Sequence, residues 1–169
     1  MTEVTPKGIY LLTGEHIIDS FDCGKPALND WLLRRALGNQ VTGTSRTWVI
    51  TEGSSKRVIA FYSSSTASVL RTRVPKKLTR NQPQEIPAIL LGRMAVDSRY
   101  QGRHFGSALL QHFMIKAINV SAAIGVRLLL VHAKDEEAKA FYAHYGFMES
   151  PLDSLTMLML LPNSQRAEE

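Results

Sequence analysis

The stretch "RYQGRHFGSALL", Arg99 to Leu110, gathers two glycines, a glutamine and three basic side chains. Upstream, "PAILLGRMAVD" is an apolar, proline-bounded run that reads as a buried strand, and downstream "FGSALLQHFMIKAINV" carries apolar residues at helical spacing. The glycines therefore fall at a strand-to-helix turn. Backbone N–H groups lack intrahelical partners there and the helix dipole presents its positive end, so the turn suits an anion such as a phosphate. The same residues also fit a solvated basic loop that merely opens a helix, and a short glycine motif does not separate the two.

The elements that must position this turn alternate along the chain. "GIYLL" predicts a first strand and "FDCGKPALNDWLLRRALGN" a helix from near Pro26, with Leu28, Trp31, Leu32 and Arg35 at helical intervals. "SRTWVIT" and "RVIAFYSSSTASV" read as paired strands joined by "EGSSK". A strand over 88–96, a helix over about 105–120 and the strand "VRLLLVHA" follow. "DEEAKAFYAHYGF" then predicts a helix capped by Asp135, acidic in its first turn and stopped at Gly146, before a last strand "TMLMLL". This is a single-domain mixed α/β fold, a central sheet flanked by helices, over 1–162, with "NSQRAEE" (163–169) as a disordered tail.

A chain of 169 residues, 44% hydrophobic and 21% charged, is the size of one domain with a full core. No run approaches the length of a membrane span and "MTEVTPKGIY" lacks a signal-peptide core, so a cytoplasmic protein is expected, with no membrane partner. Cys23 is the only cysteine, and the five histidines have no ligand spacing, so no disulfide and no metal site is expected.

The net charge of +5 is unevenly placed. Between Glu52 and Glu85 there is no acidic residue, whereas Lys56, Arg57, Arg71, Arg73, Lys76, Lys77 and Arg80 all fall there. A polyanionic partner accounts for such a stretch, and so does a solvated, Pro-interrupted connection whose charge serves solubility.

Taken together, "LLGRMAVD" running into "RYQGRHFGSALL", the later "AKAFYAHYGF" and the order of elements resemble the GNAT superfamily of N-acetyltransferases. The first pair is similar to the acyl-CoA element Q/R-x-x-G-x-G/A, and the second to the helix A-x-x-F-Y-x-x-x-G-F. The resemblance implies a GNAT fold with acetyl-CoA as co-substrate. Its pyrophosphate would lie on Gln101, Gly102, Arg103, His104, Phe105 and Gly106, and its pantetheine along Met94, Ala95 and Val96. His104 stands where the middle glycine is usual. Histidine is among the few other residues enriched at positive φ, so binding is expected to be retained.

"FDCGKPALNDWLLRRA" and "LGRMAVD" are further similar to the opening helix and central strand of the acetyltransferase toxins of bacterial toxin–antitoxin pairs. That resemblance implies acetylation of the α-amine of an aminoacyl-tRNA, a block on translation, a ribbon-helix-helix antitoxin and a homodimer. It makes Cys23 a packing residue at the start of the helix.

Acetyl transfer from a thioester needs a neutral amine, a donor for the developing oxyanion and an acid for the departing thiolate. A lysine of pKa about 10.4 calls for a base, whereas an α-amine near 7.7–8.0 is already partly neutral. "ILLGRMAV" offers no carboxylate, which favours the α-amine, although Glu52 or a water chain could reach the site. The family's helix tyrosine falls on Tyr142, with Tyr145 as its rival. The oxyanion donor is expected to be a backbone N–H at Met94 or Ala95. Arg34, Arg35, Arg71, Arg73, Lys76, Lys77, Arg80 and Arg93 are the candidate tRNA contacts. Two other classes stay open: a GNAT enzyme acetylating a protein N-terminus or a small amine, and a non-catalytic acyl-CoA-binding protein.

Overall fold

The computed structural model describes residues 8–162; residues 1–7 and the expected tail from Asn163 lie outside the described residues. The chain runs β1 (Ile9–Leu11), α1 (Pro26–Arg34), α2 (Ala36–Thr42), β2 (Arg46–Thr51), β3 (Val58–Leu70), β4 (Glu85–Val96), α3 (Phe105–Ser121), β5 (Leu128–His132), α4 (Glu136–His144), β6 (Met148–Ser150) and β7 (Asp153–Leu160). The strands form one mixed sheet of order β1-β2-β3-β4-β5-β7-β6. The expected α/β class is observed.

The elements fall into two units, and each has its own apolar core. The first comprises residues up to Ser65 with Gly92–Phe113, and the second Thr66–Leu91 with residues from Met114 on. In the first, β1, β2 and β3 pair antiparallel, with Leu11 opposite Trp48 and Trp48 opposite Tyr62. Leu32, Ala36, Trp31, Phe61, Val49 and Ala95 bury together. Trp31 stacks on Phe61 at a centroid distance of 6.0 Å. Tyr62 of β3 and Nδ1 of His112 on α3 share a hydrogen bond of 2.7 Å, with both side chains buried, which pins that helix to the strand.

In the second unit, β4 and β5 are parallel from Ala88↔Leu128 to Leu91↔Val131, and β5 and β7 are antiparallel from Leu128↔Leu160 to His132↔Thr156. Val69, Val74, Ile86, Ala88, Leu128, Leu130 and Leu158 make its core. The near-continuous apolar run of β5, buried from Leu128 to Val131, is what a central strand covered on both faces requires.

The helix expected from Pro26 onward is two helices. Arg35, at φ −120° and ψ −34°, leaves helical geometry between them. The second is drawn onto the strands by Gln40, whose amide donates to the Leu12 carbonyl at 2.7 Å and accepts from the Thr47 N–H at 3.0 Å. The strand expected to start after Pro87 begins at Glu85. Proline lacks only the donor, and the Pro87 carbonyl still accepts from the Arg127 N–H at 3.0 Å. β6 was not expected, because three residues carry no readable alternation and its pairing with β7 defines it.

Candidate active site

β4 continues through Gly92, Arg93, Met94, Ala95 and Val96 beyond the last residue pair of its parallel register with β5. Alternation along it sets Ala95 into the core of the first unit and leaves Met94 and Val96 half-buried. Asp97 follows and closes the strand with an Asx turn, accepting from the Arg99 N–H at 3.0 Å.

The turn itself runs from Gln101 to Gly106. Gly102 has φ 80° and His104 φ 66°, so the histidine occupies the left-handed conformation that a glycine would take without strain. A Cβ at Gly102 would meet no atom within 4 Å, so the space beside the turn there is open. α3 begins at Phe105, and its first helical bond is made by the Ala108 N–H to the His104 carbonyl at 3.1 Å. The N–H groups of Phe105, Gly106 and Ser107 precede that bond and belong to the set that a helix N-terminus offers to an anion. No acidic residue lies in this first turn. Arg103 is exposed and its guanidinium lies 5.2 Å from the centre of the Tyr100 ring. The cradle thus has donors, positive charge and room, and its residues fit a pyrophosphate.

Gln101 points elsewhere. Its amide donates to the Val96 carbonyl at 3.0 Å and to the Cys23 carbonyl at 3.5 Å, so it fastens the turn to the strand. Glu52, weighed as a possible base, accepts the Tyr100 hydroxyl, which ties it to this turn. Asp22, Asn29, Asp97 and Tyr100 were not among the expected site residues. The readable signal was Asp before Cys-Gly and Asp before Ser, both turn-forming contexts.

Arg93 is exposed, with its guanidinium 4.7 Å from the centre of the Trp31 ring. Partial desolvation holds its pKa below the ordinary arginine value. Arg34, at the end of α1, pairs loosely with Asp30 at 3.8 Å, and Arg35 is exposed at the helix break. These three cations belong to the first unit with the turn.

In the second unit, Tyr142 is buried on α4, between Phe141 at 5.3 Å and Phe147 at 5.7 Å. Burial pushes its phenol well above the ordinary tyrosine range, so the hydroxyl stays protonated. Asp135 caps the helix by accepting from the Ala138 N–H at 2.8 Å, and Gly146 stands at φ 101° just past its end. Tyr145 is 41% exposed, outside the buried side of the helix that holds Tyr142.

The basic connection between β3 and β4 is ordered. Arg71–Arg73 and Lys76–Leu78 form short 3-10 turns, and Val74 and Leu78 pack into the core of the second unit. The Arg71 guanidinium donates to the Gln82 carbonyl at 2.5 Å. Arg71, Arg73, Lys76, Lys77 and Arg80 are all exposed. Among the described residues, no group of three or more His, Cys, Asp or Glu side chains could hold a metal ion, and no helix is long and apolar enough to cross a membrane.

A family model for the acetyltransferase (GNAT) domain matches residues 43–149. A tRNA-acetylating toxin of Mycobacterium tuberculosis is 40% identical over 148 residues, covering 88% of this chain and 88% of that protein. The crystal structure of a tyrosine-to-phenylalanine mutant of KacT superposes with a TM-score of 0.86 at 27% identity, over 94% of this chain and 97% of that one. AtaT complexed with acetyl-methionyl-tRNAfMet superposes with a TM-score of 0.85 at 24% identity, over 95% of this chain and 98% of that one, a likeness of fold. AtaT has also been solved bound to the C-terminus of the antitoxin AtaR.

Proposed function

The chain belongs to the GNAT acetyltransferase family, and from that premise we propose that it is a toxin that transfers acetyl from acetyl-CoA to the α-amine of an aminoacyl-tRNA. The observation that carries this reading is the cradle at Gly102–Ser107 in a chain so similar to a tRNA-acetylating toxin.

Acetyl-CoA supplies the acetyl group as a thioester. The N–H groups at the start of α3 and the Arg103 guanidinium hold its pyrophosphate, and the strand backbone from Met94 to Val96 takes the pantetheine. An N–H at Met94 or Ala95 donates to the thioester oxygen as charge builds on it. The amine nitrogen bonds to the acetyl carbon, the carbon–sulphur bond breaks, and the Tyr142 hydroxyl protonates the departing sulphur. The amine nitrogen loses one proton as the amide forms, and a proton returned through solvent restores the Tyr142 hydroxyl. Tyr142 lies on the buried side of α4 whereas Tyr145 is 41% exposed, which supports Tyr142 over Tyr145 for that role.

The strand "ILLGRMAV" has no carboxylate and Glu52 is engaged by Tyr100, which supports an acceptor that is neutral without a dedicated base. The exposed cations Arg34, Arg35, Arg71, Arg73, Lys76, Lys77, Arg80 and Arg93 are the contacts for the tRNA backbone. The protein works in the cytoplasm as a homodimer and is held inactive by a ribbon-helix-helix antitoxin.

A purified translation system tests the reading. Protein plus acetyl-CoA stops synthesis, and Tyr142→Phe, with its fold and acetyl-CoA affinity intact, loses most of that effect, about 10²-fold or more. Translation that continues under the parent protein contradicts the reading and favours an enzyme for protein N-termini or small amines.

A further inference from the structure

We propose that Asp22 and Asn29 are positioning residues for acetyl-CoA: the loop that opens α1 is a brace that holds the pyrophosphate turn in its binding shape. The inference rests on the reading of Gln101–Gly106 as the acetyl-CoA turn.

The brace is built from short polar contacts. Asn29 on α1 accepts the Cys23 N–H at 2.9 Å and donates to the Asp22 carboxylate at 3.0 Å. The same carboxylate oxygen accepts the Gly24 N–H at 2.9 Å, and Gly24 takes φ 84°. Residues 22–24 are thereby locked into one turn. From it, three bonds cross to the end of β4. The Asp22 N–H donates to the Asp97 carboxylate at 3.1 Å, the Ser98 N–H donates to the Asp22 carbonyl at 2.9 Å, and the Gln101 amide donates to the Cys23 carbonyl at 3.5 Å.

Gln101 also donates to the Val96 carbonyl at 3.0 Å, so both ends of the connection between β4 and the glycine turn are fastened to the same place. Asp97 is 1% exposed and takes the Arg99 side chain through both of its oxygens. Phe21 and Cys23 anchor the far side of the loop in the apolar core with Trp31. The sequence feature "FDCGKPALN" thus orders the backbone on which the phosphate donors are mounted.

A turn held in its binding shape before the ligand arrives spares the ligand the cost of ordering it. Loosening the brace therefore weakens acetyl-CoA binding while the chemistry of the bound complex is kept. The hydrogen bonds that Asn29→Ala removes correspond to roughly a tenfold change.

The test is calorimetric titration of acetyl-CoA into the intact protein, with steady-state kinetics beside it. Asn29→Ala is expected to raise the acetyl-CoA Kd and KM roughly tenfold, with kcat and acceptor KM unchanged within about twofold. Gln101→Ala is expected to do the same. Both act on one turn, so the double variant raises Kd by less than the product of the single factors. Asp22→Asn keeps an oxygen to accept from Gly24 and Asn29 and is expected to stay near parental affinity. Should Asn29→Ala fail to fold, Gln101→Ala, which leaves α1 and the loop that opens it intact, carries the test.

A folded Asn29 variant with parental Kd, or factors that simply multiply, overturns the brace. Gly102→Val separates the brace from the site it serves. If it weakens acetyl-CoA while the Asn29 and Gln101 variants do not, the brace alone falls. If it too leaves binding unchanged, the turn is not the acetyl-CoA site and the reading beneath the brace falls with it.

Discussion

Asp97 and Arg99 clasp one another across two residues: the buried carboxylate accepts the Arg99 N–H at 3.0 Å, its Nε at 3.0 Å and an Nη at 3.1 Å. The pair sits where β4 gives way to the glycine turn, so its geometry is also that of the turn. Burial opposes ionisation of Asp97, but the Arg99 side chain and the N–H groups of Arg99 and Asp22 outweigh it, and the carboxyl lies below its ordinary value. A lowered pKa in the folded state gives stability that is complete above the unfolded value of 3.8 and is lost as pH falls through the lower folded value.

The replacement Asp97→Asn turns an amide N–H₂ toward donors and removes the charge. It is expected to cost about 1–3 kcal/mol near neutral pH. Urea unfolding at about pH 6 and about pH 3 checks the sign: the gap between parent and variant shrinks at the lower pH as the parent's carboxylate takes up its proton. A gap of equal size at both values means that the charge of Asp97 contributes nothing.

His104 stands in left-handed geometry, which costs an L-residue roughly 1–2 kcal/mol. His104→Gly is expected to recover part of that, about 0.5–1 kcal/mol, since glycine loses more freedom on folding. Acetyl-CoA affinity is expected to be kept, because the donors of the turn are backbone groups. Calorimetry on the variant decides it. A clear loss of acetyl-CoA affinity would instead give the His104 side chain a direct contact with the ligand.

Much of this was legible in the sequence, and the reasons are local. The glycine turn, the Asp135 cap and the Gly146 stop are written in residue types with few other uses, and the apolar run of β5 has only one reading at its length. The break at Arg35 was not legible because Leu32 and Ala36, both fully buried, keep helical spacing across it. Past the break, Gln40 binds the Leu12 carbonyl, 28 positions back in the chain, as well as the nearby Thr47 N–H. The brace was hidden for the same reason. Asp22 and Asn29 look like turn and helix polar residues until Asp97, 75 positions away, closes the network.

The basic connection offers a separable test. Val74 and Leu78 anchor it, so Lys76 and Lys77 project from a fixed base. Lys76→Glu combined with Lys77→Glu is expected to weaken tRNA acetylation and to reduce its salt dependence by roughly one unit of slope for each phosphate no longer neutralised. Acetylation of a small amine and acetyl-CoA affinity should hardly move. Equal loss with both acceptors, without altered salt dependence, would make the stretch a solubility feature.

The identity of the acceptor decides what this enzyme does, and one measurement reaches it directly. Purified protein is mixed with labelled acetyl-CoA and total charged tRNA, the ester bond is then cleaved with mild base, and the released amino acids are analysed by mass spectrometry. Label is expected on the α-amine of one or a few released amino acids, none when the tRNA is deacylated first, and little with Tyr142→Phe. Label that appears only on added small amines or on peptide N-termini, with charged tRNA untouched, would contradict that expectation.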